Sequence, residues 1–417
     1  MYSKISKLFK ILLWKMFKPL PLFIRGRISR SLFSVDLSLD EVDKKITYQM
    51  VSDVSEITDS LELIQNNYKR LSMTKSDDLL RANKFHLLPT TTIFTAKYGD
   101  EVIGTISVIL DSTFGLPIDS FEDISSFRKE GTVAEIAGFT VKESWRSRNS
   151  GISIPLALMA LRYCFENLNV DNIVLTVRDS VKPFYEDICK FETFGKVKTH
   201  DGVEGLRSAS LVVKTADFYK RLENAYEGKP LNKSLFLLFK EFPWAKNTIF
   251  PKNKSGLITQ RTILDSKLIK ELEQKSSFFN ELSDEDKLVI TNFTKDFDLY
   301  RKFMNHAHQN FSEREDYRYY VNLDANLVSF GQKFPVKIID VAKQGLRIFS
   351  NQELDKEVIL EVDTKEHGRI VLICETRWAV SKYYGVRITM DNDQWDNLIA
   401  FYEDELSGND LGYQEAS

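Results

Sequence analysis

The stretch Glu130–Thr176, EGTVAEIAGFTVKESWRSRNSGISIPLALMALRYCFENLNVDNIVLT, decides the fold. Its first part, Thr132–Val141, reads as a buried strand in which Glu135 stands alone among Val133, Ala134, Ile136, Ala137 and Phe139. A carboxylate is costly in such surroundings unless it is paired or working. The basic loop Arg146-Ser-Arg148-Asn-Ser-Gly151-Ile-Ser153 then opens a helix, and a second strand ends at Thr176. Helix starts present free backbone N–H groups that hold phosphates. A strand with a central carboxylate feeding an anion-binding helix start predicts transfer of a group from a phosphate-bearing carrier.

At 417 residues the chain is long enough for two or three domains, and 28% charged with 43% hydrophobic residues is the balance of a soluble globular protein. A net charge of -3 gives no reason to expect a nucleic acid polymer as partner. Residues 1–35 nevertheless carry eight Lys or Arg and no Asp or Glu. Within them, Ile5, Leu8, Phe9, Leu12 and Met16 share one helical face and Lys4, Lys7, Lys10, Lys15 and Lys18 the other. This is an interfacial amphipathic helix, too short and too charged to span a bilayer, and Arg25, Arg27 and Arg30 continue its basic character. The reading predicts peripheral contact with anionic lipid, on the inner face of the cytoplasmic membrane. Docking on the protein's own core and a signal peptide are the competing readings. Cys164, Cys189 and Cys374 lie in apolar patterns without metal spacing and read as buried thiols of a reducing compartment. His306 and His308 read as a solvated linker pair, and no structural metal is expected.

Around the opening stretch the texture is α/β. Strand Ile46–Val51, helix Ser55–Tyr68 and the hairpin Thr91–Leu110, turning at Tyr98-Gly-Asp-Glu101, precede it. A helix with Phe184-Tyr185 and a final strand, Ser208–Lys214, follow. This order resembles acyltransferases of the GNAT type, and Arg148-x-x-Gly151-x-Ser153 sits where that superfamily keeps its acyl-carrier loop. Phe114-Gly-Leu-Pro-Ile-Asp119, an arginine-containing helix with Arg128 and the Glu135 strand resemble the N-acyl amino acid synthase branch, related to the acyl-homoserine lactone synthases. The lactone synthases often have an arginine where this chain has Gly138, so recognition of the acceptor's carboxylate has no assigned residue. That gap also weakens a reading as a lactone-type synthase using S-adenosylmethionine.

From Ser312 onward short strands with turn signals predict a small all-β barrel. This part resembles the PilZ domain, a cyclic di-GMP receptor. Arg314-Glu-Asp-Tyr-Arg318 matches its RxxxR motif, and Asp340-Val-Ala342-Lys-Gln-Gly345 its second motif with Ala342 in place of a serine. Trp378 and Tyr384-Gly385-Val386 add to the likeness.

The expected organisation is a basic segment over 1–45, a GNAT-like α/β (α+β) domain with a central mixed sheet over 46–215, a helical extension over 216–310, an all-β PilZ barrel over 311–405, and an acidic tail over 406–417. The resemblance implies an N-acyltransferase moving a long-chain acyl group from acyl carrier protein to the amine of an amino acid, under cyclic di-GMP control. Glu135 is the expected general base, its alternative being an ion pair with Arg128. Tyr185 is the expected proton donor or a packing residue. Arg146, Arg148, Gly151 and Ser153 would hold the carrier phosphate, and Arg314, Arg318, Asp340, Ala342 and Gly345 the nucleotide. Ile106, Val108, Leu110, Phe114, Leu116 and Ile118 would line an acyl channel or belong to the ordinary core. The rival reading is a GNAT-like effector without activity, relaying the nucleotide signal to a partner protein.

Overall fold

The computed structural model describes residues 20–35, 43–51, 53–88, 90–112, 114–146, 152–241, 248–249, 266–283, 286, 318–329, 331–364, 367–380, 383–390 and 392–408. The amphipathic run over residues 4–18, the pair His306 and His308, and the tail beyond 408 lie outside them. Helix α1 (Leu22–Leu32) is described, and Arg25 and Arg30 turn inward from it while Arg27 stays exposed. Arg25 pairs with Glu186 at 2.8 Å and with buried Asp187 at 2.9 Å, and Arg30 donates to the carbonyls of Asp187 and Ala225. Leu22, Phe23 and Leu32 stay exposed. Two of the three arginines that continue the basic pattern in the sequence, Arg25 and Arg30, therefore fasten α1 to the protein.

The first unit is a seven-stranded mixed sheet in the order β1-β2-β3-β4-β5-β7-β6. Its strands are β1 (Ile46–Met50), β2 (Thr91–Tyr98), β3 (Glu101–Leu110), β4 (Val133–Val141), β5 (Asn172–Arg178), β6 (Glu192–His200) and β7 (Leu206–Lys214). β4 and β5 run parallel, joined by α4 (Ser153–Arg162), while the other neighbours are antiparallel. This is the GNAT architecture expected from the sequence. One face carries the main core, in which Leu156, Leu158 and Met159 of α4 pack on Val108, Ile173 and Leu211. Fully burying one such side chain contributes about 1.5–3 kcal/mol. α6 (Thr215–Tyr226) and α7 (Leu235–Lys240) extend that core through Phe218, Leu222, Leu238 and Phe239. Across the sheet, α2 (Val54–Arg70) and α8 (Ser266–Lys275) meet through Leu61, Ile64, Leu268 and Leu272. Asp53 caps α2 by accepting from the Glu56 amide at 2.9 Å.

The second unit is a closed six-stranded barrel in the order β10-β13-β12-β11-β8-β9. Its strands are β8 (Tyr319–Ser329), β9 (Gln332–Ala342), β10 (Gly345–Phe349), β11 (Glu357–Thr364), β12 (Gly368–Val380) and β13 (Tyr383–Ile388). Closure leaves no free edge. α9 (Asp393–Gly408) completes the core with Trp395, Leu398 and Tyr402. Among the described residues, hydrogen bonds between the two units run from Asn322 to the Leu168 carbonyl, from Asn169 to Asp324 at 3.1 Å, from Asn351 to the Lys129 carbonyl at 3.4 Å, and from Tyr383 to the Ser112 carbonyl at 3.4 Å.

Candidate functional site

Glu135 sits where the sheet forks. Pairing of β4 with β5 runs from Val133–Asn172 to Glu135–Val174 and stops, although β4 continues to Val141 and β5 to Arg178. Between Ala137 and Thr140, the partners of Ser107 and Thr105, β4 also carries an extra residue against β3. Gly138, at φ +64°, occupies this irregularity, and a Cβ there would lie 3.0 Å from Ile64. The position that carries arginine in the lactone synthases is here a left-handed kink beneath α2, which a side chain would strain.

Glu135 is 4% exposed, and Ile118 donates its amide to the carboxylate Oε2 at 2.7 Å. Burial pushes its pKa up to about 8 against that hydrogen bond, and the Asp119 charge adds to the rise. The expected alternative, an ion pair with Arg128, is absent. Arg128 instead grips Asp111 at 2.6 and 3.0 Å and Asp119 at 2.6 and 2.7 Å. Asp119 in turn accepts from the Leu116 amide at 2.7 Å. Gly115, at φ +70°, has no room for a side chain, since a Cβ would come within 2.4 Å of Asp119 Oδ2. The Gly115–Asp119 element is therefore a turn clamped by Arg128 that delivers one amide to Glu135.

The other synthase-side residues are more dispersed. Arg146 donates to the Val141 carbonyl at 2.8 Å and to Asn67 of α2. Ser153 is half-buried at the first position of α4. Arg148 and Gly151 lie outside the described residues. Tyr185, on α5 (Lys182–Asp187), packs edge-on to Phe184 and Phe191 against the α4-side core, and burial raises its pKa. No hydrogen bond joins it to Glu135 among the described residues. The supposed apolar channel divides between two clusters. Ile106, Val108 and Leu110 belong to the α4-side core, whereas Phe114, Leu116 and Ile118 join Ile109, Val133, Val174 and Val212 near Glu135.

Two features escaped sequence reasoning. Tyr68 lies under Arg81 at 4.8 Å, and its phenol is raised by burial, with Arg81 opposing and Glu135 adding to the rise. Ser107, Thr176 and Ser210 carry buried hydroxyls without hydrogen-bond partners among the described residues. Strand register puts all three on the face of Glu135: Ser107 opposes Ala137, Thr176 lies two residues beyond Val174, and Ser210 opposes Thr176. Their spacing in sequence gave no hint of this, because only the pairing brings them to one face.

In the barrel, Asp340 is fully buried and ion-paired to Arg318 and, at 2.9 Å, to Arg347 of β10. Arg347, absent from the sequence motif, is placed opposite Asp340 by the β9–β10 register. Its guanidinium carbon is 5.9 Å from the ring of exposed Trp378. The Ala342 carbonyl accepts from the Trp395 indole at 3.2 Å. A Cβ on Gly345 would press to 2.9 Å on the Val386 carbonyl, so the two strands require glycine there. Arg314 lies outside the described residues. Among the described residues, no cluster of side chains suits a metal ion.

Residues 59–212 match the family model of the N-acyl amino acid synthase FeeM, and residues 312–404 match that of the PilZ domain. No curated protein matches the chain. Among solved structures, the N-acyl amino acid synthase FeeM from uncultured soil microbes is 20% identical with a TM-score of 0.39, covering 43% of this chain and 96% of that one. The AHL synthase LasI is 13% identical with a TM-score of 0.31, covering 40% of this chain and 89% of that one. An N-acetyltransferase from Staphylococcus aureus Mu50 is 13% identical with a TM-score of 0.29, covering 40% and 97%. The chain thus carries an acyltransferase region that matches the N-acyl amino acid synthase FeeM model, followed by a region that matches the PilZ domain.

Proposed function

We propose that the protein makes an N-acyl amino acid from a long-chain acyl thioester of acyl carrier protein, under control of cyclic di-GMP bound to the PilZ barrel. The observation that carries the first half is Glu135, a buried carboxylate at the fork of the sheet that pairs with no cation among the described residues. The ammonium of the acceptor gives a proton to Glu135, directly or through water. The free amine then attacks the thioester carbonyl, the C–N bond forms, the oxyanion collapses, and the C–S bond breaks. The departing thiolate takes a proton from Tyr185, which is restored by the second proton that the nitrogen sheds as the amide forms. Arg146, Arg148, Gly151 and Ser153 hold the phosphopantetheine phosphate at the start of α4. Acyl carrier protein is acidic, which suits a basic loop there and makes docking salt-sensitive. The unpartnered hydroxyls of Ser107, Thr176 and Ser210 supply donors for the acceptor's carboxylate, the task that Gly138 cannot perform.

In the barrel, Arg314, Arg318 and Arg347 meet the phosphates and guanine edges of the nucleotide, Asp340 sets the guanidiniums and accepts from a guanine edge, and Ala342 and Gly345 allow close backbone approach. The lost serine hydroxyl at Ala342 weakens binding by about 0.5–1.5 kcal/mol. The exposed Leu22 and Phe23 of α1 favour peripheral contact of the protein with anionic lipid. The rival, an inactive effector acting on a partner protein, draws on the Ile118–Glu135 bond, which gives the carboxylate a structural task. Incubating the protein with acyl carrier protein thioesters and mixed amino acids separates the two. An N-acyl amino acid in the mass spectrum supports synthesis, and its absence from folded protein supports the effector.

A further inference from the structure

A line of contacts runs from the barrel's arginines to the Glu135 turn. Asp340 pairs with Arg347, and two residues along β10 the ring of Phe349 meets Tyr383 edge-on at 5.4 Å. Phe349 and Tyr383 are also register partners between β10 and β13. The Tyr383 hydroxyl crosses to the other unit and donates to the Ser112 carbonyl at 3.4 Å. That carbonyl also receives the Gly115 amide at 2.9 Å, the bond that closes the chain into the Gly115–Asp119 turn. Beside Ser112, Asp111 anchors Arg128, which clamps Asp119. The turn then spends the Ile118 amide on Glu135.

We propose that Tyr383 of the PilZ barrel is a positioning residue of the acyltransferase. It braces the Ser112–Asp119 turn, and cyclic di-GMP acts on the reaction by drawing Arg347 and the β10–β13 edge away from, or toward, this brace. The nucleotide's identity rests on the reading in the preceding subsection; the brace does not. Leu110, Asp111, Gly131, Thr132 and Val133 of the synthase and Asn322, Ile339, Phe349 and Tyr383 of the barrel together line one small recess. The two units are thus not close-packed beside the turn, at the point where the brace crosses. The charges of Asp111, Arg128 and Arg347 all act on the Tyr383 phenol, whose pKa burial raises, so this one side chain senses both sites.

The test uses the full chain and two variants, Tyr383→Phe, which removes the hydroxyl and keeps the ring, and Arg347→Ala. Hydrogen–deuterium exchange of the segment over residues 112–119 reads the brace without any need for turnover. Tyr383→Phe is expected to speed exchange of that segment several-fold with the barrel's own protection unchanged. In the acyl-transfer assay it lowers the midpoint of the rising limb of kcat/KM against pH, as Glu135 becomes wetter, and abolishes the effect of added cyclic di-GMP. Calorimetry on the same variant should show nucleotide affinity within about threefold of the unaltered protein, whereas Arg347→Ala loses it. Unchanged exchange over residues 112–119 in Tyr383→Phe overturns the brace. A normal nucleotide response of activity in that variant overturns its part in regulation. If the unaltered protein binds no cyclic di-GMP, the earlier reading fails, while the exchange and pH results still decide the brace.

Discussion

The backbone N–H of Ile118 points at Glu135 Oε2 from 2.7 Å, and among the described residues no cation shares that carboxylate. One amide is enough to favour the ionised form but not to outweigh burial, so the group titrates at about 8. A base of that pKa suits deprotonation of an amine near neutral pH. If Glu135 is the base, kcat/KM rises with pH and levels above about 8. Glu135→Gln lowers it by roughly 10²–10⁴-fold and flattens that limb. A variant with an unchanged profile would sink the assignment.

The same shift predicts a stability signature. A carboxyl whose folded pKa is raised contributes stability below the ordinary glutamate pKa and loses it as pH climbs through about 8. Thermal melts of Glu135→Gln should therefore gain on the unaltered protein between pH 6 and 9, with the difference growing as pH rises. A constant difference across that range would mean that Glu135 is charged throughout it.

For the unpartnered hydroxyls the prediction separates binding from folding. Removing a polar group that has no partner costs little or even stabilises. Ser210→Ala and Ser107→Ala should melt at or above the unaltered protein while raising the KM for the amino acid several-fold, with the acyl donor's KM unmoved. A lowered melting temperature with normal KM would assign them to packing.

Gly115→Ala forces a Cβ onto Asp119 at a left-handed position. The strain costs on the order of 1–3 kcal/mol, and because Asp119 and Ile118 share the turn, activity should fall further than stability. Urea melts and kcat/KM, measured on the same preparation, check this.

Arg25 is the main partner of Asp187, which is completely buried and otherwise held by Ser29 at 3.1 Å. Arg25→Ala strands that charge and should destabilise the synthase unit by about 3–5 kcal/mol. Arg27, on the same helix, serves as the control: Arg27→Ala should leave the denaturation midpoint almost unmoved.

The strand–loop–helix–strand of Glu130–Thr176 was readable because its apolar periodicity switches from two to 3.6 and back. The carboxylate was readable because nothing else polar stands in its strand. Edge strand β6 was not, since Glu192–His200 is mostly polar and interrupted by Gly195 at φ +68°. Arg128 looked like the partner of Glu135 only because both flank one turn, and three dimensions gave it two aspartates instead. Arg347 carries no motif signal of its own, and its meeting with Asp340 exists only through the register of β9 and β10. Local pattern is encoded in neighbours along the chain, while pairing and ion-pair choice are settled by elements far apart in it.

The measurement that bears most directly on the account is single-turnover acyl transfer from a long-chain acyl carrier protein thioester to amino acids, followed by mass spectrometry across pH 6–9. The account predicts an N-acyl amino acid whose rate of formation rises to a plateau above about pH 8, and whose formation nearly disappears in Glu135→Gln. Product formed equally fast by that variant, or no product from the folded unaltered protein at any pH, would contradict it.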